Sequence, residues 1–175
     1  MNKTTTYLFA LGAAMLLTGC ESPLSQATQR GDTTQIQQLL DKGADINAKS
    51  NGRTPLMWAA QNGNKVVLEQ LLSKGANINA TGIFGWTALI LAAQQGHTDC
   101  VKVLLEHGAN MDQRTDSLPG MTSQNALEWA RSGGHTRTVQ LLEAASRNGG
   151  MAAKDAAQPA VPTTLPPPTD SAAPF

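Results

Sequence analysis

The stretch that decides the fold is TPLMWAAQNGNKVVLEQLLSKGANIN, residues 54–79. It contains two short segments with the apolar spacing of an α-helix, separated by Gly63 and followed by Gly75. The Thr54 hydroxyl can cap the first helix, and Pro55 suits its first turn, where a missing N–H loses no hydrogen bond. Gly75 suits the left-handed residue that ends a helix. The stretch therefore predicts a helix–turn–helix unit.

Copies of this unit recur along the chain. The segment GADIN at Gly43 returns as GANIN at Gly75 and as GANMD at Gly108, so the spacing between copies is nearly constant. The segment TPLMWAA of the opening stretch returns at almost the same spacing as TALILAA at Thr87, and a degenerate copy, NALEWAR, follows after a longer step at Asn125. A unit of this length cannot bury its apolar face alone, so the copies must stack to form a core.

These copies resemble ankyrin repeats, which have a period of about 33 residues and a Thr-Pro-Leu-His-x-Ala motif near their start. The resemblance implies an all-α ankyrin-repeat solenoid of about four helix–turn–helix repeats with β-hairpin-like tips, the first and last repeats acting as caps. In place of the family's histidine stand Met57, Ile90 and Glu128, of which the first two should add apolar packing. The four repeats are expected to cover residues 24–47, 48–80, 81–113 and 114–147.

The beginning of the chain predicts export. Lys3 precedes an apolar run of eleven residues, 7–17, which is too short to span a bilayer as a permanent helix and suits a signal peptide. Leu17-Thr18-Gly19-Cys20 follows at once and resembles the lipobox of bacterial lipoproteins. The resemblance implies that residues 1–19 are removed and that Cys20 carries acyl chains such as palmitate. An ordinary secretory signal that happens to contain a cysteine is the alternative.

The resemblance to lipoproteins also implies a location. In Gram-negative families an Asp after the lipidated cysteine favours the inner membrane, so Glu21 favours the outer membrane, with the protein facing the periplasm. Residues 20–23 form a short linker that keeps the repeats close to the lipid surface. We therefore expect a partner that is bound to a membrane or acts on one.

Composition bears on the class of partner, on disulfide formation and on the last residues of the chain. Without Lys3 the chain has 12 basic and 13 acidic side chains, so its net charge does not indicate a nucleic-acid partner. Once Cys20 is lipidated, Cys100 has no cysteine left for an intramolecular disulfide. Residues 148–175 hold six of the nine prolines and predict a disordered Ala/Pro-rich tail, with a polyproline II ligand at Pro166 as the alternative.

Ankyrin repeats meet their partners through hairpin tips and through the inner, concave side of the first helices. Phe84 and Trp86 lie in a glycine-rich tip, and Trp and Arg are the residue types most enriched at interface hot spots. With Arg53 and nearby glutamines as a polar rim, we expect this aromatic pair to bind the partner; the alternative is that Trp86 folds back onto the next repeat. The full set of implied contact positions is Asn51, Arg53, Gln61, Asn62, Ile83, Phe84, Trp86, Gln94, Gln95, Gln124 and Ser132.

The last repeat carries an insertion. Its step from Asp112 to Asn125 is clearly longer than the equivalent step in either of the two preceding repeats. Residues 113–124 therefore form an elongated finger with Leu118 and Met121 near its tip. The finger is either a second partner-binding element or a tolerated surface insertion, since long insertions cost little entropy.

Three further positions are interpreted as core. Trp58 and Trp129 occupy the first-helix position that Leu91 fills in the repeat between them. Cys100 matches Val67 one repeat earlier, which predicts a buried structural thiol.

The spacing of polar residues does not indicate an enzyme. His97 and Cys100 stand at i and i+3, a spacing open to two metal ligands, but the predicted burial of Cys100 argues against a metal site. His97 and His135 both follow an inter-helix glycine and are expected to be structural. We expect no cofactor.

The sequence thus predicts a monomeric, lipid-anchored periplasmic module that holds one envelope protein on its concave face without catalysis. Two versions remain open. In one the protein inhibits a membrane-acting enzyme, as immunity proteins do; in the other it is an accessory protein of a periplasmic enzyme such as a catalase or another peroxidase. A metal-dependent enzyme centred on His97 and Cys100 is the remaining alternative.

Overall fold

The computed structural model describes residues 22–116 and 122–147, and within them it has eight α-helices in four consecutive pairs and no β-sheet. This is the all-α solenoid that the sequence predicts. The pairs are α1 (Pro23–Arg30) with α2 (Thr33–Asp41), α3 (Pro55–Gln61) with α4 (Lys65–Ser73), α5 (Ala88–Gln95) with α6 (Thr98–Glu106), and α7 (Ala126–Ser132) with α8 (Thr136–Arg147).

The first helix of each pair begins at a polar capping residue. Ser22, Thr54, Thr87 and Asn125 each accept a hydrogen bond from the backbone N–H three residues on, which satisfies one of the free donors at the helix start. The predicted cap is thereby confirmed, since the Met57 N–H donates to the Thr54 hydroxyl at 3.4 Å.

The second helices of the first three pairs end as the sequence predicts. Each is followed by a glycine with positive φ, namely Gly43 at 85°, Gly75 at 87° and Gly108 at 80°. An L-residue with a side chain rarely adopts this conformation, so glycine fixes the point at which the chain turns back.

The core lies between two layers of helices. The first helices α1, α3, α5 and α7 pack against one another in one layer, and α2, α4, α6 and α8 form the other. Buried leucines fill the space between them, and each contributes about 1.5–3 kcal/mol before entropy is subtracted. Met57 and Ile90 are each 1% exposed, which confirms that they replace the family's histidine by apolar packing.

Two histidines join neighbouring pairs. The ring Nε2 of His97 donates to the Gln61 carbonyl oxygen at 3.0 Å, and that of His135 donates to the Gln94 carbonyl oxygen at 2.8 Å. Each bond connects the start of a second helix to the end of the first helix in the preceding repeat. Their predicted structural role is confirmed.

A second set of bonds joins the segments that follow the second helices. The Asn77 N–H donates to Asn47 Oδ1 and the Asn110 N–H donates to Asn79 Oδ1, both at 2.8 Å. The junction between the second and third pairs has both kinds of bond, so its stacking is held at both ends of the helices.

Candidate functional site

The chain enters the first repeat before residue 24. Ser22 accepts a hydrogen bond from the Ser25 N–H at 3.2 Å and Pro23 occupies the first turn of α1, so both residues belong to the repeat rather than to the linker assigned to residues 20–23. The Ser22 N–H in turn donates to Ser50 Oγ at 3.2 Å. Cys20 and the rest of residues 1–21 lie outside the described residues.

The turns that precede α3 and α5 share an uncommon backbone conformation. In the first turn the two central residues, Asn51 and Gly52, have φ of 52° and 73°. Such a turn favours Asn-Gly, because both central residues must adopt positive φ. In the second turn the same two positions hold Phe84, with φ of 58°, and Gly85, with φ of 72°. A left-handed conformation costs an ordinary L-residue roughly 1–2 kcal/mol, so Phe84 is held under strain.

Backbone hydrogen bonds join successive turns. The Ile83 N–H donates to the Gly52 carbonyl oxygen at 3.2 Å, and the Asp116 N–H donates to the Phe84 carbonyl oxygen at 2.8 Å. A Cβ at Gly52 would overlap the Ile83 side chain, so only glycine allows Ile83 to lie there. The neighbouring turns therefore hold Phe84 in its strained conformation.

The structure separates the predicted aromatic pair. Phe84 is 48% exposed, and beside it Ile83 is 52% exposed, which agrees with their expected place at a tip. Trp86 instead is half-buried, with its ring centroid 4.9 Å from that of Trp129 and the two planes inclined by 39°. Trp86 thus packs onto the next repeat, as in the alternative interpretation, and of these three side chains Ile83 and Phe84 present the apolar surface to solvent.

Neither Trp58 nor Trp129 is fully buried in the core, although Trp129 packs against it. Both are half-buried, whereas Leu91 at the equivalent position is 1% exposed. The prediction is wrong because a tryptophan side chain is too large to be covered completely at a site that a leucine fills. The Arg53 guanidinium carbon lies 4.9 Å from the Trp58 ring centroid, a cation–π contact within one repeat, whereas the Trp86–Trp129 contact joins two repeats.

The solvent side of the first-helix layer, which we call the inner face, carries a row of amides. Gln61 and Gln94 are half-buried at the ends of α3 and α5, and the equivalent residue of α1 is Gln29. Sequence reasoning missed Gln29, although its separation from Gln61 along the chain equals that between the first two GAxIN segments. The inner face as we define it consists of Gln29, Trp58, Gln61, Asn62, Gln94, Gln95 and Trp129.

Several polar atoms of the inner face are buried without a hydrogen-bond partner among the described residues. They are Gln29 Nε2, Gln61 Oε1 and the indole Nε1 atoms of Trp58 and Trp129. Leaving such an atom unpaired costs about 1–3 kcal/mol, so these groups have hydrogen-bonding capacity that the fold itself does not use. Asn62 is exposed and donates to the Gln29 carbonyl oxygen at 3.4 Å, while Gln95 is exposed to solvent.

Two chain segments that are hydrogen-bonded to each other form the base of the predicted finger. The Thr115 N–H donates to the Gln124 carbonyl oxygen at 2.9 Å, and Arg114 donates to Glu128 Oε2 at 2.8 Å. The Asn125 N–H also donates to Glu128. This bond is the main cause of a lowered pKa of the Glu128 carboxyl, and the interactions with Arg114 lower it further. Leu118 and Met121 fall outside the described residues, and Ser132, at the end of α7, is exposed.

Cys100 is buried as predicted, with 1% exposure. A reactive thiol instead lies in partly exposed, electropositive surroundings. Burial, with a smaller contribution from Asp99, raises the pKa of the Cys100 thiol to about 11. Within residues 22–116 and 122–147 no group of three or more His, Cys, Asp or Glu side chains could hold a metal ion. Across the same part of the chain, no helix has the length and apolar character needed to cross a membrane.

Comparison with protein families agrees with this architecture. The family model for ankyrin repeats in three copies matches residues 2–82 and 79–150. Comparison with curated proteins gave no match. Ankyrin repeats are protein–protein interaction modules, and the family is typically non-catalytic. The chain belongs to the ankyrin-repeat family.

Proposed function

We propose that this protein is anchored by lipid on the periplasmic side of a bacterial envelope membrane and holds one protein partner on its inner face, without catalysis. The anchoring rests on the sequence Leu17-Thr18-Gly19-Cys20 after the apolar run, with Glu21 favouring the outer membrane. The binding role rests on the ankyrin repeats together with the composition of the inner face.

The observation that carries the proposal is the set of unpaired polar atoms on the inner face. Gln61 Oε1 is an acceptor, whereas Gln29 Nε2 is a donor. A polypeptide backbone offers both kinds of group, so a bound partner satisfies atoms that the isolated repeats leave unpaired. Rotation of a glutamine side chain about its staggered torsions brings such an atom to the surface, and rotamer changes of this kind are common when proteins bind.

Aromatic and cationic groups beside the amides supply apolar contact. Trp58 with Arg53 at one end, and Trp129 with Trp86 at the other, frame the glutamines of α3 and α5. Trp and Arg dominate interface hot spots, and truncating one such residue typically costs about 2 kcal/mol or more of binding free energy. The inner face therefore combines the apolar anchors and the polar groups of a protein-binding surface.

The test is capture of an envelope protein by the full mature chain and by inner-face variants. We expect Gln61→Ala with Gln94→Ala to weaken binding of the retained protein at least tenfold at unchanged melting temperature. Val66→Ser is the matched control, because Val66 is 67% exposed on α4 in the other helix layer. Equal retention by the inner-face variants and the control would exclude the inner face as the binding surface.

The same complex separates the two versions of the role. An inhibitor of a membrane-acting enzyme requires a Kd near nanomolar, which corresponds to about 12 kcal/mol, and it abolishes the activity of the captured protein. An accessory protein of a periplasmic catalase or other peroxidase instead maintains or increases that activity. The activity of the captured protein, measured with and without this chain, decides between them.

A further inference from the structure

We propose that the turns between the repeats lie on the membrane surface, with the side chains of Ile83 and Phe84 entering the lipid. This inference rests on the proposed attachment of lipid to Cys20 and adds to it an orientation of the whole solenoid. The surface concerned consists of Ser22, residues 50–53 and residues 83–86, which we call the turn edge.

The chain enters the fold at the turn edge. Ser22, the cap of α1, donates to Ser50 Oγ at 3.2 Å, so the chain enters the first repeat beside the first turn. Cys20 is two residues before Ser22, and two extended residues reach at most about 7 Å. Acyl chains on Cys20 are therefore attached at the turn edge, not at the opposite ends of the helices.

The turn edge is continuous from the first turn to the second. Ile83 donates its backbone N–H to the Gly52 carbonyl oxygen at 3.2 Å, and its side chain lies over Gly52. The first helices of the first and third repeats are two packing distances apart, which is about 16–20 Å. Lipid attached beside Ser22 and the exposed side chain of Phe84 thus lie along the same edge, and a flat membrane can contact both.

The second turn has a residue that is poorly suited to its backbone conformation. The equivalent position in the first turn holds Asn51, a residue suited to positive φ, whereas Phe84 is strained at a φ of 58°. Phe84 is 48% exposed and Ile83 is 52% exposed, so neither supplies the burial that would offset such strain within the fold. Observed strain at an exposed residue points to a role outside the fold, and lipid is the apolar medium that the anchor brings to this edge.

Side chains of both charges lie on the turn edge or beside it, so its contact with lipid is apolar rather than electrostatic. Lys49 and Arg53 supply positive charge, Asp116 supplies negative charge, and Arg114 is paired with Glu128 at 2.8 Å. Vesicle binding through this edge is accordingly expected to change little with salt.

The orientation has a consequence for the partner. If the turns lie on lipid, the first helices stand away from the membrane, because each begins directly after the turn edge. The inner face then opens sideways, and the bound protein is held beside the membrane rather than beneath the repeats.

The first test measures the depth of residue 84 in the acylated full-length mature protein, reconstituted in vesicles of phosphatidylethanolamine and phosphatidylglycerol. An environment-sensitive fluorophore is attached through Phe84→Cys, with Val66→Cys as the matched exposed control. Cys100 does not compete for the label, because it is buried and its thiol pKa is about 11. We expect lipid-borne quenchers to quench the probe at 84 at least threefold more strongly than at 66; equal quenching overturns the inference.

The second test does not depend on acylation in the cell. The mature chain is coupled at Cys20 to one myristoyl group, which alone gives weak and reversible membrane binding, and its affinity for the same vesicles is measured by flotation. We expect Ile83→Ser with Phe84→Asn to lower that affinity at least fivefold and Val66→Ser to leave it unchanged. Unchanged affinity of the double variant overturns the inference, as does loss of the captured protein partner by that variant with no change in vesicle binding.

The two proposals fail in different ways. If the mass of the native mature protein shows no acyl chains, the proposed anchoring is wrong, whatever the myristoylated chain does. If the acyl chains are present but residue 84 stays outside the lipid, the anchoring stands and the orientation is wrong.

Discussion

At the scale of a single residue, Phe84 shows a local preference overridden by its surroundings. A Phe-Gly pair is a poor choice for two successive positive φ angles, while the Asn51-Gly52 pair one repeat earlier is a favoured one. The hydrogen bonds from Ile83 to Gly52 and from Asp116 to Phe84 hold the second turn in the conformation of the first.

Replacing Phe84 by asparagine should therefore stabilise the protein. Phe84→Asn places at this turn the residue that the first turn already uses, and we expect the free energy of unfolding to rise by about 1 kcal/mol. Alanine lacks the short polar side chain that makes the left-handed region tolerable for asparagine, so Phe84→Ala should give no such gain. Urea unfolding of the two variants beside the parent chain measures the difference, and a loss of stability in Phe84→Asn would show that the ring supports the fold.

At the scale of an element, the start of α7 joins the finger to the helix. Glu128 accepts from the Asn125 N–H and from Arg114, each at 2.8 Å, while the Asn125 side chain accepts from the Glu128 N–H at 2.9 Å. One carboxylate therefore caps α7 and also holds the segment at residue 114. Glu128 stands where ankyrin repeats have a histidine, and it caps α7 and binds Arg114 instead.

This arrangement predicts an acid-sensitive last repeat. The pKa of Glu128 is lowered from 4.5 by the Asn125 N–H and by Arg114, so the folded state binds fewer protons than the unfolded state just below that pH. The stabilisation is present above pH 4.5 and is lost as the pH falls through the folded-state pKa.

Glu128→Gln should make stability less dependent on pH in this range. The protection factors of the α7 amides, which correct for the intrinsic pH dependence of exchange, should fall less steeply between pH 6 and about pH 3 in Glu128→Gln than in the parent chain. Glu106→Gln is the control, since Glu106 is exposed in α6 and lies 3.9 Å from Lys102. The same pH profile in the parent and in Glu128→Gln would show that this carboxylate does not govern the acid response.

At the scale of the whole molecule, the helices pack mainly against those of the same repeat and of its neighbours. α5 packs against α3 and α7 as well as its own partner α6, whereas α8 packs against α6 and α7. Stability in such a stack is approximately the sum of repeat terms and nearest-neighbour terms. The same substitution should therefore destabilise more helices when it is made in a central repeat than when it is made in a terminal repeat.

Leu89→Ala in α5 and Leu142→Ala in α8 test how many helices each kind of substitution destabilises. The two leucines are 1% and 0% exposed, and each substitution should cost about 2–5 kcal/mol locally. We expect Leu142→Ala to raise hydrogen exchange in α7 and α8 and to leave α1 to α4 protected, whereas Leu89→Ala should raise exchange in every helix. Increased exchange in α1 of Leu142→Ala would mean that the four repeats unfold as one unit.

Local chemistry explains why much of the fold could be predicted. The caps at Thr54 and Thr87, the turn-back at Gly75 and the inward position of Cys100 each depend on a residue's own conformational limits or on helical spacing. Such features repeat with the sequence, and stacking follows because no single unit can bury its apolar face.

The amino-acid sequence was enough to predict the repeats, the cap at Thr54, the turn-back at Gly75 and the apolar character of the tip at Ile83 and Phe84. Three contacts became known only from the folded structure: Trp86 packs on Trp129, Trp58 remains half-buried beneath Arg53, and Ser22 lies against Ser50. These contacts join residues of different repeats or compete for limited space, and helical spacing carries no information about which neighbour a side chain reaches or how completely that neighbour covers it.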